Sequence, residues 1–305
     1  MLRKKALNRI YLTTLVLFIM VISFTFELIK PEKNTNLEEI EYVSNLNTVH
    51  IYLLNHDNYL VKVDILINED NVINKVREIL NNLYVDNKKY SNLKGVIPSN
   101  TKINEIFFLN NTLTIDFSSD LLKVNKNLEE KVIESIVYSL LEIDNVKNVS
   151  IKIDGKILEK LEKNNKNLPV LLDSTFGINK DYQLTSIKDC QKVILYYVFN
   201  NSNNNYYVPV TKYINSKDSK IKIIIDSLKG NYIGNTNLSS YLNQKTDIKD
   251  FKLEQDILTI TFNSLNDLNL ESVTYTLASS IFDSMDIEKV VFTLNDQVID
   301  IKVKN

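Results

Sequence analysis

A chain of 305 residues, 44% of them apolar and 24% charged, is long enough for about two domains with cores of their own, which excludes wholesale disorder. The net charge of -2, with Lys, Asp and Glu scattered along the chain, leaves no basic face for nucleic acid. Cys190 is the single cysteine, so no intrachain disulfide forms and each domain is held by its core.

At the amino terminus Arg3, Lys4, Lys5 and Arg9 precede an uncharged run from Ile10 to Phe26. As a helix this run spans roughly 26 Å, close to the hydrocarbon thickness of a bilayer. The leading cations stay in the cytoplasm, so the spacing predicts a single-pass anchor over residues 1–30 with everything after Glu27 outside. A cleaved signal peptide is the competing reading. The length of the run, and the lack of small residues at cleavage spacing after it, favour an uncleaved anchor. Residues 31–47, with Pro31 and many Asn and Glu, read as a juxtamembrane linker.

The remainder repeats itself. Thr101 to Phe117 returns about 145 residues later as Thr246 to Phe262, and Val49-His50-Ile51-Tyr52 is answered by Val193-Ile194-Leu195-Tyr196. The boundaries are 48–163 for the first copy, 164–189 for the segment between, and 190–305 for the second. Copy one opens with apolar runs Val49 to Leu54 and Tyr59 to Ile67 around a polar turn, a hairpin pattern that copy two repeats with Val193 to Phe199 and Tyr206 to Ile214. A helix follows in each, with Val72, Val76, Ile79, Leu80 and Leu83 on one face and Ile221, Ile224, Ile225 and Leu228 on the other's. Asp70 and Ser219 are the expected caps, and Gly230 suits a left-handed stop.

A second hairpin alternates Leu113, Ile115 and Phe117 with polar residues, mirrored by Leu258, Ile260 and Phe262. A longer helix carries Val132, Ile133, Ile136, Val137 and Leu140, mirrored by Val273, Leu277 and Ile281. Each copy closes with a strand, Val149 to Ile153 or Val290 to Leu294. The order strand, strand, helix, strand, strand, helix, strand predicts an α+β fold, ββαββαβ, twice, with helices on one face of an antiparallel or mixed sheet. The segment from Lys156 to Asp189, with Leu168-Pro169-Val170-Leu171-Leu172, is apolar enough to pack against a domain.

The repeat also filters chemistry, because a residue that carries function in one copy should recur in the other or be a special acquisition. Asp116, Asp120 and Asp154 resemble paired glycosidase carboxylates, but Asp116 corresponds to Thr261 and Asp154 to Asn295. His50 and His56 flank a turn without a third ligand, and no Gly-rich phosphate cradle occurs. Cys190 reads as a lone thiol leading a strand. Tyr196-Tyr197 and Tyr206-Tyr207 read as cover for a half-buried sheet or as a stacking surface for sugar rings. No catalytic, cofactor-binding or metal-ligating residue is assigned, and the chain is expected not to be an enzyme and to need no cofactor.

The opening hairpins, Ser227-Leu228-Lys229-Gly230, Gly95-Val96-Ile97-Pro98, the strand Leu113 to Ser118, and Val149 to Gly155 together resemble the GerMN domain family. Such domains occur in tandem in sporulation and spore germination proteins, and the resemblance covers nearly everything from Val49 onward. Copy two departs by having Asn295-Asp296 where copy one has Asp154-Gly155. Because these domains are similar to the ring-building modules of secretion systems, the resemblance implies a non-catalytic scaffold. It would serve a channel complex joining mother cell and forespore, with extracytoplasmic proteins of that complex and copies of itself as partners. Its location would be the cell membrane, facing the space around the forespore. Relatives can be lipoproteins, whereas no cysteine lies beside this apolar run, so membrane placement is read from Arg3 to Phe26 alone. The alternative reading is a module that binds cell-wall glycan, peptidoglycan being the partner, motivated by exposed Tyr and Asn.

Overall fold

The computed structural model describes residues 48–304, apart from 91, 202–203, 231–237, 243–245 and 266–269. The expected anchor and the linker over 31–47 lie outside the described residues. Among the described residues no helix is long and apolar enough to cross a membrane.

Copy one contains β1 (Thr48–Leu54), β2 (Leu60–Leu66), α1 (Val72–Asn82), β3 (Ile103–Leu109), β4 (Thr112–Phe117), α2 (Lys126–Leu141), β5 (Asn148–Ile153) and β6 (Lys156–Ile157). Three short strands follow, β7 (Lys160–Leu161), β8 (Lys166–Asn167) and β9 (Asp181–Gln183). Copy two contains β10 (Cys190–Asn201), β11 (Asn204–Asn215), α3 (Lys220–Lys229), β12 (Leu238–Ser239), β13 (Asp247–Glu254), β14 (Ile257–Ser264), α4 (Leu270–Ser284), β15 (Lys289–Leu294) and β16 (Gln297–Val303). The fold is mixed α+β with four α-helices among the described residues.

Each copy has one four-stranded sheet of its own, ordered β3-β4-β5-β6 in the first and β13-β14-β15-β16 in the second. The central pairs β4/β5 and β14/β15 are parallel, so the long helices α2 and α4 are their crossovers. The final strands β6 and β16 were not expected from the pattern. Asp154 and Gly155 at φ 48° and 81°, and Asn295 and Asp296 at φ 50° and 60°, turn the chain back into them. The inward residues Leu113, Ile115 and Phe117 and their counterparts Leu258, Ile260 and Phe262 are all buried, as the alternation required.

The opening hairpins do not join these sheets. They meet each other in one sheet ordered β1-β2-β11-β10-β12, with β9 pairing in parallel with β11. The expectation of a single sheet per copy is therefore corrected: each hairpin leaves its own copy's sheet and pairs with the other's. Residues 47–305 consequently form one compact unit.

The junction between β2 and β11 rests on a single ladder pair, Lys62 with Tyr207. Carried two residues further, that antiparallel register would set Leu60 opposite Pro209, which has no N–H to give. The side chain of Asn179, from the segment between the copies, occupies this position. Its Nδ2 donates to the carbonyls of Leu60 and Pro209, each at 2.8 Å, while Oδ1 accepts the Leu60 N–H at 2.9 Å. Lys131 of α2 donates to the same Oδ1 at 2.7 Å, and the Asn179 N–H reaches Glu134 at 2.9 Å. Lys180 lies beside Glu130 at 2.8 Å and Glu134 at 3.5 Å, stacked over the Phe176 ring. The segment thus packs against the domains, as its apolar content suggested.

Some local expectations change. Asn71, not Asp70, caps α1, accepting from Ile73 and Asn74. Ser219 caps α3 as expected, but Gly230 ends it at φ -72° in extended conformation, so its role is not a left-handed stop. Gly95 is needed for close approach instead: a Cβ there would lie 2.3 Å from the Tyr84 carbonyl oxygen and 2.4 Å from that of Leu83.

Asn179 leaves two carbonyls and an N–H without partners if truncated, and unsatisfied buried groups cost roughly 1–3 kcal/mol each. Asn179→Ala is expected to destabilise the chain by about 2–4 kcal/mol in urea unfolding. A loss below about 1 kcal/mol would show that the junction does not depend on this carboxamide.

Candidate functional site

Side chains two apart on neighbouring strands share a face, and one face of the shared sheet is left open. His50 and Tyr52 of β1, Lys62 and Asp64 of β2, Asn205 and Tyr207 of β11, and Ile194 and Tyr196 of β10 all line the same cleft, about 1320 Å³ in volume. The sheet is the floor, and α2 and α4 are the walls.

The walls are fixed by hydroxyl groups that close the sheet's backbone. On β1 the outward N–H of Tyr52 donates to Ser139 Oγ at 3.0 Å, and Ser135 Oγ donates to the Tyr52 carbonyl at 2.5 Å. On β10 the N–H of Tyr196 donates to Ser280 Oγ at 2.9 Å and that of Ile194 to Ser284 Oγ at 2.7 Å. Serine in the helix interior is a poor helix former, but here its hydroxyl satisfies strand groups that would otherwise be orphaned.

The same pairing continues in the side chains. Tyr52 Oη donates to Glu142 Oε1 at 2.9 Å, and Tyr196 Oη donates to Asp283 Oδ2 at 2.7 Å. Tyr52 corresponds to Tyr196, Ser139 to Ser280 and Glu142 to Asp283, so the constellation occurs once in each copy. Burial, reinforced by Glu142 beside Tyr52 and Asp283 beside Tyr196, raises both phenols well above their ordinary value, which keeps them neutral donors. Asp283 is accessible from the cleft yet walled by protein elsewhere. That desolvation raises its carboxyl above the ordinary value, against the Tyr196 hydrogen bond and Lys62, with the Glu142 charge adding to the rise.

Ring faces complete the walls. Tyr138 meets Tyr52 edge-on at 5.7 Å, Tyr275 meets Tyr196 edge-on at 6.5 Å, and Tyr275 lies tilted over Tyr207 at 4.0 Å. At the rim, His50 Nδ1 is 2.7 Å from Asp64, and that hydrogen bond holds the Asp64 carboxyl below its ordinary value.

The residues weighed from sequence fall elsewhere. Asp116 accepts from the Gly155 N–H at 2.9 Å, Asp154 from the Ser119 N–H at 3.2 Å, and Asp120 pairs with Lys123 at 2.7 Å. Gathered at one end of the copy-one sheet, these acids secure its turns. His50 is brought to the cleft, whereas His56 lies in the exposed β1/β2 turn. Among the described residues no three His, Cys, Asp or Glu side chains are grouped to hold a metal. Cys190 is exposed at the start of β10. The cleft acids carry no motif of their own in sequence, although Ser139-Leu140-Leu141-Glu142 and Ser280-Ile281-Phe282-Asp283 repeat the same spacing at both helix ends.

Comparison with known proteins matches residues 50–159 and 194–300 to the family model described as Germane: sporulation and spore germination. The chain is 25% identical over 176 residues to the spore germination protein GerM of Bacillus subtilis (strain 168), covering 57% of this chain and 48% of that protein. It therefore spans about half the length of that curated relative. The solved tandem GerMN domains of the sporulation protein GerM from Bacillus subtilis superpose with a TM-score of 0.73 at 18% identity, over 82% of this chain and 91% of that one. That likeness is one of fold.

The raised Asp283 carboxyl has a consequence for stability. Because the folded chain holds this proton more tightly than the unfolded chain, stability is lost as pH climbs from the ordinary value of 3.8 through the folded titration. Asp283→Asn is expected to match the native chain near pH 3 and to exceed it at pH 7, by no more than about 1 kcal/mol because cleft water screens the charge. Thermal unfolding at the two pH values checks this, and a variant less stable at pH 7 contradicts it.

Proposed function

The chain belongs to the Germane family of sporulation and spore germination proteins, and from that membership we propose that it is a non-catalytic, extracytoplasmic assembly protein. In this reading residues 10–26 anchor it in the cell membrane, and its two fused domains face the space around the forespore as part of a channel complex. Its partners are copies of itself and other extracytoplasmic proteins of that complex.

The observation that carries this reading is the state of the sheet edges. Among the described residues the four-stranded sheets end on β3 in copy one and on β13 and β16 in copy two, each a row of backbone groups facing no neighbouring strand. Beside them lie exposed apolar side chains: Phe107 and Leu109 on β3, Leu253 on β13, and Val298, Ile301 and Val303 on β16. Edge strands of this kind pair with strands of another chain. The copy-one acids accept from turn N–H groups and pair with Lys123, a structural use that favours the non-catalytic reading.

Light scattering tests the proposal, on the chain alone and mixed with extracytoplasmic domains of a sporulation channel. A defined larger mass is expected, and Leu109→Lys or Ile301→Lys is expected to return it to the monomer while changing stability by no more than about 0.5 kcal/mol. A monomer indifferent to every partner, or assembly unaffected by either lysine, would refute the edge-strand reading.

A further inference from the structure

The cleft over the shared sheet is not explained by assembly through sheet edges. We propose that it is a binding site for a neutral, linear oligosaccharide, running along the floor between α2 and α4. Four properties of the site, none of them dependent on the assembly role, favour such a ligand.

The first is size. At about 1320 Å³ the cleft exceeds the roughly 300–1,000 Å³ of an ordinary small-molecule pocket, which suits several linked rings better than one. The second is the kind of polar group on offer. The carboxylates of Glu142 and Asp283 each use one oxygen to accept a tyrosine proton; Glu142 Oε2 faces His50 Nε2 at 3.9 Å, and both second oxygens keep lone pairs for a ligand hydroxyl. Asn205 at the mouth adds a carboxamide able to donate and accept. Such groups match the paired hydroxyls of a sugar.

The third is the ring surface. Tyr275 and Tyr207 are half-buried, tilted against each other with centroids 4.0 Å apart, and placed on the cleft wall and floor. An apolar ring face beside carboxylates is the surface a pyranose requires, since its C–H face is apolar and its rim is hydroxylated.

The fourth is what the cleft lacks. Lys62, Lys220, Lys302 and Lys304 offset Asp64, Glu142, Asp283 and Asp286, so neither a polyanion nor a polycation is favoured by the summed charge. An extended peptide is disfavoured for a different reason. The backbone groups of Tyr52, Ile194 and Tyr196 that it would add to are already taken by the serines of α2 and α4.

The test titrates the full chain with cellohexaose and with the β-1,4-linked N-acetylglucosamine hexamer, following tyrosine emission, since the chain has no tryptophan. A saturable response to either sugar is expected. Tyr275→Ala is expected to weaken it about tenfold, and Tyr275→Phe to leave it near the native value because the ring face is kept. Tyr182→Ala, which removes a ring stacked on Tyr213 and outside the cleft lining, is expected to change nothing. If Tyr275→Ala loses the native circular dichroism, Glu142→Gln takes its place, with a severalfold loss expected. No saturable response to either sugar overturns the proposal. So does a loss in Tyr182→Ala equal to that in Tyr275→Ala, or saturable binding of an extended peptide where neither sugar binds.

Discussion

The carboxamide of Asn179 is the point on which the arrangement of the two copies turns. Two hairpins brought edge to edge would ordinarily zip along several ladder pairs, but Pro209 of β11, paired with Tyr196 on its other side, has no N–H to give β2. A carboxamide carries one donor and one acceptor end in a plane, as a peptide group does, and can stand in for a missing rung. Asn179 does so with all its capacity engaged: two donations to backbone carbonyls, and two acceptances from the Leu60 N–H and Lys131. Its own backbone sits at φ 49°, a conformation Asn tolerates better than most residues. Lys131, Glu134 and Lys180 then tie the same point to α2, so strand, helix and connecting segment are fixed together.

From that constraint the cleft follows. Pairing β2 with β11 antiparallel relates the copies by a local two-fold, which places β1 and β10 towards opposite sides of the shared sheet. Each of these strands has outward backbone groups to satisfy, and each copy satisfies them with serines of its long helix. The helices must therefore stand at the two sides of the sheet instead of covering its open face. A floor with two walls is the geometrical result, and the Tyr–acid pairs face it from both sides because the repeat supplies one to each. Asp283 is exposed to the cleft, and the protein around it raises its carboxyl above the ordinary value, a modest cost that an apolar residue there would not carry. Its presence in one copy, with Glu142 in the other, marks the cleft as the place where stability gives way to a polar surface.

Much of the fold was legible because it is local. The apolar alternation of Leu113, Ile115 and Phe117 and the helical stripe of Val132, Ile136 and Leu140 determine which side is buried regardless of what lies opposite. Asp154-Gly155 and Asn295-Asp296 turn the chain at positive φ, but the strands β6 and β16 that follow them were not legible. Their residues, such as Gln297, Asp300 and Lys302, do not alternate cleanly, since an edge strand need bury little. Which hairpin pairs with which was not legible at all. Exchange between copies preserves every local pattern, and the Asn that bridges the junction lies in a segment with no counterpart in either copy. The candidate site suffered from the same limit: Glu142 and Asp283 lie at helix ends, where acids are common on solvated faces. Only their shared spacing from Ser139 and Ser280 separates them from that background.

The two kinds of sheet differ in the backbone groups left open along them. On the shared sheet, helix serines occupy the outward backbone groups of Tyr52, Ile194 and Tyr196, so those positions have little to offer another chain's backbone. The four-stranded sheets keep theirs, but unequally. In copy one, β6 is two residues long before the chain turns away into β7, which leaves β3 as the substantial edge. In copy two, β13 and β16 run for eight and seven residues on opposite sides of the sheet. Edges of unlike sequence at the two ends of one rigid unit favour contacts between different surfaces over a self-matched pair. Contacts of that heterologous kind close into rings or continue as filaments, depending on the rotation between neighbours. Because Asn179 and the shared sheet hold the copies together, the angle between the β3 edge and the β16 edge is a property of the folded chain and not of a flexible linker, and under the proposed assembly it would set the rotation between neighbours.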